Sequence, residues 1–154
     1  MFENYRIDCS ISDGITQNSL MNFRNTIAKG IEHEIKVLSV SPNEMLVAFL
    51  IIDKTAKIIT WTGDGFRQDY GGEGGAGYNT VQIINRIFNV KPHPMEEMIS
   101  LEDTLDPSLQ DSDGQNAVLA SLIRDYLERN SDEIRMVPFE CSAEKMPDYI
   151  RTRI

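Results

Sequence analysis

Residues 63–79 concentrate the side chains and backbone best suited to hold a ligand. The run Gly63-Asp64-Gly65-Phe66-Arg67-Gln68-Asp69-Tyr70-Gly71-Gly72-Glu73-Gly74-Gly75-Ala76-Gly77 carries seven of the chain's ten glycines. Ordering a glycine costs roughly 0.4–1 kcal/mol more chain entropy than ordering an alanine, so seven cost about 3–7 kcal/mol. Net stabilities are only about 5–15 kcal/mol. A stretch that expensive reads either as a mobile connector or as main chain that something must approach closely. Trp61, Phe66, Tyr70 and Tyr78 also place four of the twelve aromatic residues within 18 positions. Rigid rings on an adaptable backbone are how antibody loops combine contact area with fit. The chemistry implied is stacking plus hydrogen bonding: Phe66, Tyr70 and Tyr78 against a planar ring, and Arg67 on an anion. The amides of Gly72, Gly74, Gly75 and Gly77 serve as donors, with Asn79 as a further polar contact. A nucleotide-like ligand suits that set.

Two familiar phosphate motifs fail here. Gly72-Glu73-Gly74-Gly75-Ala76-Gly77 matches GxGxxG and opens an expected helix, with Glu96 and Glu97 about 20 residues on. A dinucleotide fingerprint needs those glycines directly after a strand of a βαβ unit, whereas the preceding strand ends near Thr62. No Gly-Lys-Ser/Thr closes the segment, which excludes a Walker loop. A looser cradle of backbone N–H groups leading into a helix at Tyr78 remains. Asp64, Asp69 and Glu73 oppose it unless they point away or share a divalent metal. Asp64 with Asp69 or Glu73 therefore supplies a third reading, metal-assisted hydrolysis. No base or nucleophile accompanies the pair, so no catalytic residue is assigned, and no cofactor is specified. His33 and His93 lack metal-ligand neighbours at i+2 to i+4, so no metal ligands are assigned either.

Charge narrows the partners. Fifteen basic against 24 acidic residues give a net charge of −9, with no basic cluster beyond Arg151 and Arg153. A nucleic-acid duplex or an anionic membrane surface needs the opposite sign. Seven carboxylates, Glu96, Glu97, Glu102, Asp103, Asp106, Asp111 and Asp113, fall between Pro92 and Ile123 with no lysine or arginine. Residues 92–113 thus read as an exposed acidic connection. They also suggest a second function: an interaction module of inhibitor, immunity or adaptor type that engages a basic partner through 96–113.

The elements that must position these groups are legible from periodicity. Residues 5–11 alternate as a strand with one wet face. Leu20, Phe23, Ile27 and Ile31 mark a helix, with Thr16 or Ser19 as cap and Gly30 near its end. Glu34–Val40, Glu44–Ile52 and Lys57–Thr62 read as three strands of an antiparallel meander, the middle one apolar on both faces and therefore central. A second helix over Tyr78–Val90 carries Val81, Ile83, Ile84, Ile87 and Phe88 and is stopped by Pro92 and Pro94. A short helix over Pro94–Ile99 is allowed for. A third helix, Gln115–Asn130, has Ser112 or Asp113 as cap. Glu133–Glu140 reads as a last strand, placed at an edge by Pro138. The fold class expected is α+β: one domain over 1–154, with a mostly antiparallel sheet of about five strands and two or three helices packed on it.

The longest apolar run, Met45–Ile52, is eight residues, far below the ~20 of a membrane span. Met1–Arg6 lacks the layout of a signal peptide, and Cys9 and Cys141 have no local partners, so a cytoplasmic address is the default. The edge strand, or a stripe on the third helix, offers a surface for a homo-oligomer. The leading expectation is a non-catalytic binding domain whose segment 63–79 encloses a small ligand.

Overall fold

The doubly apolar run after Met45 decides the architecture. In the computed structural model, which describes residues 2–11, 15–68, 72–101 and 116–141, it becomes strand β3, Leu46–Asp53, and almost all of it is buried. Its side chains alternate between two cores. Ala48, Leu50 and Ile52 face one, while Val47, Phe49 and Ile51 face the other. A strand covered on both faces needs no polar register, which is why its sequence shows no alternation.

Around β3 the sheet assembles from β1 (Arg6–Asp8), β2 (Ile35–Val40), β4 (Ile58–Trp61), β5 (Phe66–Arg67) and β6 (His93–Pro94). The order is β1-β4-β3-β2-β6, with β5 paired on β3. β2, β3 and β4 form an antiparallel meander, as short connections require. The sheet as a whole is nevertheless mixed, correcting the mostly antiparallel expectation, because β1 pairs parallel with β4 and β6 pairs parallel with β2. The cause is the helices. α1 (Thr16–Ala28) carries the chain from β1 to β2, and α2 (Gly72–Phe88) carries it from β4 and β5 to β6. Each helix carries the chain back across the sheet to the end where the preceding strand began, so the strand that follows runs the same way as the one before.

α1 and α2 cover one face of the sheet, where Phe23 and Ile27 meet Phe49, Phe66, Val81, Ile84 and Phe88. The other face is covered by α3 (Ala117–Arg129), through Leu119, Ile123, Tyr126 and Leu127, and by Ile134 of α4 (Ser131–Arg135). The fold remains α+β, in three layers.

Local chemistry explains most boundaries. α1 starts after Ile15 without a side-chain cap, since the Thr16 hydroxyl donates instead to the Gly65 carbonyl at 2.6 Å; a 3₁₀ turn, Lys29–Ile31, then carries the chain past Gly30. α3 is capped by Asn116, whose Oδ1 accepts from Leu119 N–H at 3.0 Å. The expected caps Ser112 and Asp113 lie outside the described residues. α2 ends before its prolines are reached: Asn89 turns left-handed at φ 52°, and Val90 N–H reaches back to the Asn85 carbonyl at 2.9 Å. Residues 94–99 form no helix; Met95, Ile99 and Leu101 instead bury themselves against α3's side of the sheet. The expected strand 133–140 is also corrected. Its first half is the end of α4, and only Glu140 bridges to the sheet, opposite Ile35.

Candidate functional site

The glycines of 72–77 belong to the first turns of α2 rather than to a loop. Their compactness is used inside the molecule. A Cβ at Gly77 would stand 2.5 Å from Thr16 Cγ2, and one at Gly74 would stand 2.7 Å from Arg67 Cγ. Before the helix, a Cβ at Gly65 would stand 2.7 Å from the Thr16 backbone. What approaches this main chain closely is therefore the first turn of α1 and the strand β5. Gly75 is buried alongside, while Gly72 is exposed and left-handed at φ 57°.

The side chains assigned to the ligand separate accordingly. Phe66 is fully buried, its ring centroid 6.0 Å from that of Phe49 in an edge contact, so it offers no stacking surface. Trp61 is likewise enclosed. Arg67 is half-buried along Gly74, with Nη2 4.0 Å from Met45 Sδ. Asn79 is exposed, and Tyr70 and Asp69 lie outside the described residues. Asp64 is buried and Glu73 exposed, and no group of three or more His, Cys, Asp or Glu that could hold a metal occurs among the described residues. Of the acidic segment, Glu96 and Glu97 are exposed, Glu97 accepting from Arg129 Nη2 at 3.0 Å, while 102–113 lie outside the described residues. Asn130 first, and Arg129 second, hold the Glu97 carboxyl below its ordinary value.

Tyr78 is the assigned residue that does line a cleft. Tyr78, Val81, Gln82, Asn85 and Arg86 recur along α2 at steps of three and four and face Ser39 of β2, Phe49 of β3, and Pro92 and Pro94 at the sheet edge. The space between them is about 330 Å³, within the range of small-molecule sites. The Asn89 turn swings the chain back so that Pro94 sits opposite Ser39. Prolines are tolerated there because the outer edge asks for no N–H donor.

The wall carries one cation and no carboxylate, in a chain whose net charge is −9. Arg86 is exposed, and no carboxylate among the described residues pairs with it. Beside it Asn85 is only 8% exposed, and its Oδ1 is buried without a hydrogen-bond partner. Leaving such an oxygen unmatched costs about 1–3 kcal/mol. A leucine at that position would fill the space without that cost. Sequence reading passed over Asn85, Arg86, Gln82 and the two prolines as lining. One signal was available: Asn85 falls on the buried stripe of α2, four residues after Val81, where an apolar residue is expected. Conversely, Ile83 and Ile87, assigned to that stripe, are 50% and 39% exposed.

Set against family models, curated proteins and solved structures, the chain has no match in any of the three. Among the described residues no helix is long and apolar enough to cross a membrane.

Proposed function

We propose that the chain is a non-catalytic, cytoplasmic binding domain that takes a small ring-bearing anion, of the nucleotide kind, in the cleft between α2 and the edge strand β6. The observation that carries this reading is the buried Asn85 Oδ1, which has no hydrogen-bond partner, set in a wall beside Arg86, which pairs with no carboxylate among the described residues. An amide offers both a donor and an acceptor to the edge of a heterocycle. Tyr78 and the two prolines supply flat apolar contact, and Arg86 supplies charge for a phosphate or carboxylate. Cys9 and Cys141, whose thiols donate to the backbone carbonyls of Asn116 and Ile31, suit a reducing compartment.

Calorimetric titration of a nucleotide panel against wild type, Asn85→Leu and Arg86→Ala tests the assignment. Each substitution is expected to weaken binding about tenfold. Asn85→Leu is expected to leave the melting temperature unchanged or raised, because it removes an unmatched polar group. Absence of binding by every nucleotide, or equal affinity in all three proteins, refutes the reading.

A further inference from the structure

A second cavity, of about 320 Å³, opens on the other side of the Pro92–Pro94 segment, where Lys36, Lys91 and His93 share a wall with Met136, Val137 and Pro138. Lys36 is the unusual member. It lies within β2, is 3% exposed, and meets no carboxylate among the described residues. Its Nζ donates to the Ile134 carbonyl at 3.1 Å and stands 4.1 Å from the centroid of the Phe139 ring. An ammonium has three N–H donors, and the structure matches one of them with an acceptor. Lys54 Nζ lies 5.3 Å from the same ring, adding positive charge, although it also pairs with Glu34 at 3.6 Å. Burial first, and Lys54 second, press the Lys36 ammonium towards its neutral form. Buried cations are ordinarily paired.

The rest of the wall leans the same way. Lys91 is exposed, and His93 is held through Nε2 by Glu133 at 3.0 Å. Glu140 is the one carboxylate lining the cavity, its backbone fixed to Ile35 by hydrogen bonds of 2.7 and 2.8 Å. Lys36 and Lys91 face Glu140 in the lining, and His93 is taken up by Glu133, so the recess is lined by more lysine than carboxylate in an acidic protein.

We propose that this cavity is an oxyanion site, taking a carboxylate or phosphate group whose oxygens accept from the two unmatched Nζ–H bonds of Lys36, with Lys91 alongside. The site is independent of the α2 cleft and of the ligand assigned there. Its occupant supplies the counter-charge that Lys36 does not find among the described residues.

The test titrates inorganic phosphate and acetate, each balanced with chloride to constant ionic strength, into wild type, Lys36→Met and Lys91→Ala. Binding is read from the lysine Nζ resonances and from the melting temperature. The expected result is a saturable shift of Lys36 Nζ with at least one of the two anions, which also identifies the anion class. In Lys36→Met the saturable rise in melting temperature should be about tenfold weaker or lost. Methionine keeps most of the stem, so this variant should still fold. If it does not, Lys91→Ala, altered at an exposed side chain, should show severalfold weaker saturation. No saturable response of wild type to either anion overturns the proposal, as does a response of equal strength in the folded variants.

Discussion

Gly77→Ala sets two opposing forces against each other. In the interior of α2 the substitution gains about 0.8–1 kcal/mol of helix propensity. The new methyl would stand 2.5 Å from Thr16 Cγ2, where carbon atoms prefer about 3.5–4 Å. Thr16 cannot simply rotate away. Its hydroxyl is tied to the Gly65 carbonyl at 2.6 Å, and giving up such a bond costs about 0.5–1.5 kcal/mol. Shifting the first turn of α1 instead is overpacking, at about 1–3 kcal/mol. The clash therefore outweighs the propensity, and Gly77→Ala should destabilise by about 1 kcal/mol, or ~2–4 °C in melting temperature. Thr16→Ser removes the offending methyl and keeps the hydroxyl. The nearest atom to the new Cβ is then Phe66 Cδ1 at 3.3 Å, which needs only a few tenths of an ångström. In that background Gly77→Ala should stabilise by up to about 1 kcal/mol. Urea denaturation of the four proteins in the cycle measures the coupling, expected at about 1–3 kcal/mol. If Gly77→Ala stabilises the wild type too, or the cycle closes within about 0.5 kcal/mol, the close approach of α1 and α2 is not the reason for the glycine.

Three further outcomes rest on the same geometry and on charge. Gly65→Ala should cost at the upper end of roughly 1–3 kcal/mol, because its Cβ meets the Thr16 and Ile15 backbone at 2.7–2.8 Å and backbone cannot step aside. Gly74→Ala should be close to neutral, since it displaces only the flexible Arg67 stem; equal losses in the two urea transitions would contradict this. Glu97 has a lowered folded-state pKa, so the stability it contributes is present above its ordinary value of 4.5 and is lost as pH falls through the lowered one. Melting curves of Glu97→Gln and wild type should therefore differ most near neutral pH and converge in acid, and a gap that widens below pH 4.5 reverses the sign and rejects the assignment.

What the sequence disclosed was what is encoded locally. The two-faced apolar run of β3 announced a central strand, and the spacing of Leu119, Ile123, Tyr126 and Leu127 announced α3. Parallel pairing of β1 with β4, and of β6 with β2, has no local signature, because it depends on where each helix returns the chain. The start of α2 misleads for a related reason. Four glycines among residues 72–77 oppose a helix by up to about 1 kcal/mol each, so local propensity says loop. Contacts from Thr16, 61 residues before Gly77, and from Arg67, seven before Gly74, override that preference. The same confusion hid the cleft. Pro92 and Pro94 read as helix stops, but Asn89 already ends α2, and their place beside β2 is what turns a connection into a wall. In the reading proposed above, a polar residue on an apolar stripe, Asn85, marks the site, and the glycines mark close packing of α1, β5 and α2. The glycines record how closely the protein packs against itself, whereas the Asn85 Oδ1 is left without a hydrogen-bond partner, which is the observation the proposed site rests on.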